Sequence, residues 1–341
     1  MIPSEMTSPR SAERILVTES LGFSATAAGM LKELGVVTMA DIRDRPELLT
    51  LAADATVLWV RLRHLIDAEV LDAAPSLRCI VTPTTGLNHI DAAAASGRGT
   101  PVLSLFGASD FLRDVRATAE HTLALVLALL RQLPAAAAHT KGGGWDRDSF
   151  RGRELYGKTV GLVGYGRIGR IVARYLRAFD CNVLATDPAL SSSDLDDGTI
   201  LVSLAELLRR SDIVSIHASY SPRSRGFFGR AQIEAMRPGA FLVNTARGEL
   251  LDSDALVAAL ASGRLAGAAV DVLVGEAAAT RGEDPLISYA RTRDNLVLTP
   301  HIGGCTVESM EKTECYMAGR LREYLRHNSG ESHPAFSASV A

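Results

Sequence analysis

The chain has 341 residues, 47% hydrophobic and 22% charged, with a net charge of −3; this is an ordinary globular composition, long enough for about two domains, with no basic field for nucleic acid. The N-terminal residues lack a basic region followed by an apolar core, and the most apolar run, residues 123–130, is too short for a bilayer and is bracketed by Glu120, His121 and Arg131, so neither a secretion signal nor a membrane span is expected. Cys79, Cys181, Cys305 and Cys315 show no C-x-x-C spacing, which points to reduced thiols in a cytoplasm, and no His/Cys/Asp cluster has ligand spacing, so no metal is expected.

Residues 1–12 are polar, carry Pro3 and Pro9, and read as a loose tail. Residues 15–18 predict a strand and 25–34 a helix that Gly35 stops. A strand at 57–60 runs straight into Arg61 and Arg63. A helix over 67–74 ends before Pro75, and a strand over 78–81 leads into Thr82-Pro-Thr-Thr-Gly-Leu-Asn. A short helix at 90–96 and a strand at 102–105 follow. Strands alternating with helices predict a parallel sheet covered on both faces. A long helix at 115–133 joins this unit to the next; Pro134 interrupts it, and the alanine run 135–138 resumes it.

The second unit opens with Thr159-Val-Gly-Leu-Val-Gly-Tyr-Gly-Arg-Ile-Gly and reaches Asp187 through a helix and a second apolar run. Gly164, Gly166 and Gly169 form G-x-G-x-x-G. In a dinucleotide site the first permits a tight turn, the second lets backbone approach a pyrophosphate, and the third lets the helix pack on its strand. Ile168, Ile171, Val172, Tyr175, Leu176 and Phe179 recur at helical spacing, and the helix N-terminus offers N–H groups to phosphate. Asp187, eighteen residues after Gly169, is placed to accept hydrogen bonds from ribose hydroxyls and to repel a 2′-phosphate, so NAD is favoured over NADP. Later strands are expected at 213–217, 241–244, 268–271 and 296–299. Helices are expected after Ser203, with Glu206 completing a capping box, over 252–261, and over 307–326; the tail from Asn328 is polar.

In open α/β sheets, ligands bind beyond the carboxyl ends of strands. Arg247, Asp271 and His301 stand at such ends, and Glu276 follows five residues after Asp271. Oxidising an alcohol to a ketone removes a hydride and a proton. A histidine suits the proton, a neighbouring carboxylate steadies the imidazolium, and an arginine holds a carboxylate in bidentate fashion and polarises the adjacent carbonyl. That set suits a 2-hydroxy acid. Asp271 is placed to orient a nicotinamide ring.

Four motifs, Gly164-Tyr-Gly-Arg-Ile-Gly, Asn244-Thr-Ala-Arg-Gly, Ala268-Ala-Val-Asp-Val with Glu276 downstream, and Thr299-Pro-His-Ile-Gly-Gly, occur in the order found in the D-isomer-specific 2-hydroxyacid dehydrogenase family, which the chain resembles from about Ile15 to Arg326. The resemblance implies an α/β protein of two Rossmann-like, doubly wound parallel-sheet domains with the active-site cleft between them. A discontinuous, flavodoxin-like substrate-binding domain would take residues 13–114 and 302–330, and an NAD-binding Rossmann domain residues 115–301, with flexible tails at 1–12 and 331–341. It implies Arg247, Glu276 and His301 as the catalytic set. It also implies cofactor contacts from Arg167, Ile168, Asp187, Thr245, Asp271 and Gly303, which with Gly164, Gly166, Gly169, His217 and Ala246 make up the expected NAD site, and a carboxylate-binding turn at Thr84, Thr85 and Gly86. A cytoplasmic homodimer acting on a small anionic 2-hydroxy or 2-keto acid is the implied setting, with no nucleic acid or membrane partner. Trp145 either covers a neighbouring subunit's site or packs locally.

The chain departs from the family's pattern at Ala277, where proline is usual after the glutamate, at Cys305, where serine is commoner, and at Asn88-His89. It is expected to lack the regulatory domain that some phosphoglycerate-oxidising members carry. Arg61 and Arg63 suit a phosphate or second carboxylate on the substrate, or solvent. His217 lines the cofactor cleft or is a satisfied core residue. 3-Phosphoglycerate and its ketone, hydroxypyruvate and glyoxylate are open substrates; formate is disfavoured because formate-oxidising relatives carry glutamine where Glu276 stands. A reading of another class is a non-catalytic NAD-sensing interaction protein.

Overall fold

The computed structural model describes residues 12–195, 197–276 and 284–328. The expected tails 1–12 and 331–341, Ala12 excepted, and the departure at Ala277 lie outside the described residues. The described residues form two compact units. One runs to Leu112 and resumes at Val307, and the other spans Arg113–Thr306.

The first unit contains β1 (Glu13–Val17), α1 (Ala25–Lys32), β2 (Gly35–Met39), α2 (Arg45–Ala52), β3 (Val57–Trp59), α3 (Ala68–Ala73), β4 (Cys79–Val81), α4 (Ala92–Gly97), β5 (Val102–Leu103) and α5 (Ser109–Leu112). Among the described residues its sheet is five-stranded, in the order β2-β1-β3-β4-β5, and every pairing is parallel. The order reverses between β1 and β3, as in doubly wound folds. Leu16, Leu58 and Ile80 bury one face of this sheet with Leu48, Val70 and Ile90. Each fully buried aliphatic side chain of this kind stabilises the fold by about 1.5–3 kcal/mol.

Two elements here differ from expectation. Gly35 does stop the first helix, but it also begins β2, an edge strand with Val36, Thr38 and Met39 exposed, so pairing with β1 rather than burial holds it. The helix α2 opens on Asp44, whose side chain accepts from the Glu47 N–H at 3.0 Å, with a proline in the first turn. That is an ordinary helix start carried by a segment too short for clear periodicity.

The second unit contains α6 (Ala117–Leu130), α7 (Leu133–Lys141), β6 (Thr159–Val163), α8 (Arg167–Ala178), β7 (Asn182–Thr186), β8 (Ile200–Leu201), α9 (Leu204–Arg210), β9 (Ile213–Ile216), α10 (Arg230–Ala235), β10 (Ala240–Asn244), α11 (Ser253–Ala261), β11 (Leu265–Val270), α12 (Pro285–Ala290) and β12 (Leu296–Leu298). The last helix, α13 (Val307–His327), belongs to the first unit. Among the described residues the second sheet is seven-stranded, β12-β11-β10-β9-β6-β7-β8, parallel throughout, with its order reversing between β6 and β9. Successive side chains alternate between its faces. Leu242 and Val270 bury against Leu256 and Phe228, while Val243 and Ala269 bury against Leu125, Leu129 and Leu176. The long helix breaks where Gln132 takes a left-handed φ of 51°. Pro134 then sits in the first turn of α7, where its missing N–H costs nothing.

Candidate active site

The three glycines between β6 and α8 are there for three separate reasons. Gly164 has φ 95°, and a Cβ on it would lie 2.6 Å from the Ala218 nitrogen, where the chain leaves β9. A Cβ on Gly169 would lie 2.5 Å from the Gly164 carbonyl oxygen, so α8 packs on the turn only as glycine. Gly166, the N-cap of α8, has nothing within 4 Å of a built Cβ, and there its bareness leaves backbone open to a ligand. Asp187, at the end of β7, accepts from the Tyr165 N–H at 2.9 Å and the Ala189 N–H at 3.0 Å, which fixes the carboxylate beside the turn. The turn is braced from below: the buried Tyr165 ring lies under the Arg170 guanidinium and its hydroxyl donates to Asp197 at 2.5 Å.

The residues flanking the turn are held in place as well. Arg167 donates to the Val115 carbonyl at 2.7 Å, and burial pulls its pKa down. Ile168 packs into the cluster beneath α8. The His217 N–H donates to the Val163 carbonyl at 2.7 Å and its Nε2 lies 2.9 Å from Ser215 Oγ. Burial pushes its pKa down to about 4, so the ring is neutral near pH 7. A glycine turn that only glycine can make, an open helix N-terminus and a fixed distal acid fit NAD.

Beyond β10, Asn244 is fully buried. Its Nδ2 donates to the Arg247 carbonyl at 2.9 Å and its Oδ1 accepts from the Ala246 N–H at 3.0 Å. One side chain thereby folds the Thr245-Ala-Arg turn. Thr245 Oγ1 pairs with Thr122 Oγ1 at 2.8 Å, tying the turn to α6. Burial lowers the pKa of Arg247, while the carboxylates of Glu276 and Glu249 hold it up. At Gly248 a Cβ would lie 2.1 Å from the Leu273 carbonyl carbon, so the arginine turn presses directly on the loop that carries Glu276.

Glu276 uses both oxygens. Oε1 accepts from the Leu273 N–H at 2.8 Å, and Oε2 makes a short hydrogen bond to His301 Nδ1. His301 holds a left-handed φ of 54°, a conformation that costs a side chain energy and persists only when its surroundings impose it. Its N–H donates to the carbonyls of Asp271, at 2.8 Å, and Thr299, at 3.0 Å. The Asp271 carboxylate, 2% exposed, accepts from Ile302 N–H at 2.9 Å, Gly303 N–H at 2.8 Å and Thr299 Oγ1 at 2.5 Å. A Cβ on Gly303 would lie 2.9 Å from Asp271 Oδ2. Arg247, Glu276 and His301 are therefore brought together within the second unit. A carboxylate on Nδ1 fixes the imidazole tautomer and leaves Nε2 to exchange a proton.

The residues expected to meet the substrate lie in the first unit. Thr84 Oγ1 donates to the Gly86 carbonyl at 2.8 Å and the Thr84 carbonyl accepts from the Leu105 N–H at 2.9 Å; Thr85 is exposed. The Arg61 guanidinium is engaged by fully buried Glu314 of α13 and by the Leu21 carbonyl at 3.0 Å. Arg63 pairs with Asp41 at 2.6 Å, and its N–H donates to buried Glu19 at 2.8 Å, whose pKa burial raises against the pull of Arg63. The sequence assigns no role to the side chains of Glu314, Thr122, His121 or Thr299, because each acts on a partner distant in the chain. Among the described residues no group of three His, Cys, Asp or Glu side chains is arranged to hold a metal, and no single helix is long and apolar enough to cross a membrane.

Comparison with known proteins gives consistent results. Residues 123–303 match the model for the NAD-binding domain of D-isomer specific 2-hydroxyacid dehydrogenases. Over 309 residues the chain is 37% identical to the D-3-phosphoglycerate dehydrogenase of Mycobacterium tuberculosis, covering 90% of this chain and 56% of that one. The chain thus spans about half the length of the curated phosphoglycerate dehydrogenases it matches. The hydroxypyruvate reductase of Thermotoga maritima is 34% identical over 312 residues, covering 92% of this chain and 98% of that one. Among solved structures, the D-lactate dehydrogenase of Aquifex aeolicus, complexed with NAD and lactic acid, matches with a TM-score of 0.78 at 27% identity, covering 93% of this chain and 96% of that one.

Proposed function

The chain belongs to the D-isomer-specific 2-hydroxyacid dehydrogenase family, and from that premise we propose that it interconverts a D-2-hydroxy acid and its 2-keto acid with NAD(H). The observation that carries the reading is the His301–Glu276 pair set beside Arg247. His301 Nε2 gives a proton to the carbonyl oxygen during reduction and takes it back during oxidation. Glu276 steadies the imidazolium and holds the ring still. Arg247 grips the substrate carboxylate and polarises the neighbouring carbonyl. Gly164, Gly166, Arg167, Ile168, Gly169, Asp187, His217, Thr245, Ala246, Asp271 and Gly303 hold the dinucleotide, with Asp187 selecting NAD. The bound cofactor supplies or accepts the hydride.

On the substrate side, the turn at Thr84, Thr85 and Gly86 receives the carboxylate through backbone N–H groups. Arg61 is engaged by Glu314 and Arg63 by Asp41, so neither brings an uncompensated charge to a phosphate. That favours hydroxypyruvate or glyoxylate over 3-phosphohydroxypyruvate. A hydroxypyruvate reductase is among its relatives, 34% identical over 312 residues. A homodimer is supported by Trp145, 92% exposed, with Leu133 and Tyr156 also exposed in the same stretch of chain; sedimentation gives the mass. Four thiols outside disulfides suit a reducing cytoplasm.

The test is NADH oxidation with 3-phosphohydroxypyruvate, hydroxypyruvate, glyoxylate, pyruvate and 2-ketoglutarate. The expected result is turnover that is fastest on an unphosphorylated acid. Fastest turnover on 3-phosphohydroxypyruvate would reverse the substrate preference. NADH binding without turnover on any acid would instead favour an NAD-sensing interaction protein.

A further inference from the structure

The catalytic turn at residues 299–303 rests on a histidine outside the catalytic set. His121 lies in the first turns of α6. Its Nε2 is 3.2 Å from Asp271 Oδ1 and 3.1 Å from Thr299 Oγ1, and its Cδ2 would be 3.7 Å from a Cβ on Gly303. Thr122, the next residue, holds Thr245 after β10. One helical turn therefore braces the ends of β10, β11 and β12.

The hydrogen inventory assigns the proton. The Thr299 hydroxyl has one hydrogen, which goes to Asp271. An ionised carboxylate only accepts. An Nε2 lone pair would therefore face two oxygen lone pairs at hydrogen-bonding distance, so Nε2 carries a hydrogen and donates. Asp271 then accepts three hydrogen bonds, from Ile302 N–H, Gly303 N–H and the Thr299 hydroxyl, with the His121 Nε2 hydrogen lying beside Oδ1, Nε2 being 3.2 Å away. Two of these donors are the residues directly after His301, and the Asp271 carbonyl receives the His301 N–H. The strained φ of His301 is thus imposed by Asp271 and Thr299, and these in turn are held by His121.

We propose that His121 is a positioning residue for the reaction, donating from Nε2 to Thr299 and setting its N–H beside the Asp271 carboxylate so that the turn carrying His301 is fixed. This rests on the dehydrogenase reading above. It does not touch substrate; removing it loosens the geometry of the proton transfer while leaving the glycine turn, Asp187 and Arg247 in place.

The experiment compares His121→Leu, His121→Gln and His121→Asn with wild type for kcat and KM on the best 2-keto acid, NADH binding by fluorescence, and melting temperature. A glutamine amide reaches about as far as Nε2, whereas asparagine stops short. The expected result is a kcat lowered about 10- to 100-fold in His121→Leu, largely restored in His121→Gln and not in His121→Asn, with NADH affinity and KM within about threefold. Leucine or asparagine within twofold of wild-type kcat would overturn the proposal, as would glutamine no better than asparagine. If His121→Leu does not fold, the glutamine–asparagine comparison decides alone. Independently of turnover, 15N-histidine NMR should show His121 protonated at Nε2; a ring protonated only at Nδ1 would overturn the assignment. Lack of turnover by wild type on every acid would instead defeat the dehydrogenase reading.

Discussion

His301 Nδ1 and Glu276 Oε2 share a short hydrogen bond although 25 positions separate them, and the same glutamate anchors its own loop through the Leu273 N–H. Glu276→Gln keeps the size and the loop bond but removes the negative charge that stabilises imidazolium. Since positioned acid–base catalysis contributes about 10²–10⁴-fold, kcat should fall about 100-fold with NADH affinity unchanged. Steady-state kinetics with fluorescence titration of NADH checks this; a fall of less than threefold would remove the glutamate from the reaction.

Asn244 shapes the turn that presents Arg247. Asn244→Ala deletes two hydrogen bonds at a fully buried site; it leaves the Ala246 N–H without its partner and the Arg247 carbonyl with only the Leu250 N–H at 3.4 Å, at about 1–3 kcal/mol. The expected outcome is a lower urea midpoint and a KM for the keto acid raised about tenfold. Unchanged KM would mean that the turn holds without its asparagine.

Gly169→Ala places a methyl 2.5 Å from the Gly164 carbonyl oxygen. That atom is backbone and cannot rotate aside, so α8 must move off the turn. NADH should bind at least tenfold more weakly, read by calorimetry. Gly166→Ala is the control for sterics, because a Cβ there meets nothing in the protein; any loss of affinity in that variant comes from contact with the ligand.

His217 predicts a pH dependence of stability. Burial holds its pKa at about 4, while an unfolded histidine titrates near 6.5. Between those values the unfolded chain binds more protons, so stability rises with pH across the window and falls as the pH drops from about 6.5 toward 4. Between pH 7 and pH 5 the apo protein should lose at most about 2 kcal/mol more than His217→Asn; the figure is an upper one because the residue keeps some contact with solvent. Urea melts at the two pH values test it, and parallel curves would count against a buried neutral ring.

The Arg61–Glu314 pair separates a structural arginine from a substrate ligand. Glu314→Gln leaves a largely buried guanidinium without its counter-charge, which costs about 3–5 kcal/mol, so the melting temperature should drop by several degrees. A variant that melts like wild type while Arg61→Lys raises the KM for anionic acids would restore Arg61 to the substrate.

Much of the second unit was legible because its signals are local. The run from Thr159 to Asp187 holds a strand, a turn that only glycine can make, an amphipathic helix and an acid within one stretch, and the structure places them in that order. The short peripheral elements were not legible. β8 has two residues, and α10 and α12 six each; none is long enough to show a period, and neighbours rather than propensity hold them in place.

The amino-acid sequence by itself determined the alternation of strands and helices, the dinucleotide turn, and which arginine, aspartate and histidine stand at strand ends, since each depends on residues close together in the chain. Only the tertiary structure decided what those residues touch. Arg61 meets Glu314 across 253 positions, and His121 meets Thr299 across 178. Such pairings come from the order of strands in a sheet and the packing of helices across it. Side-chain chemistry alone leaves many partners possible, and the buried geometry selects one.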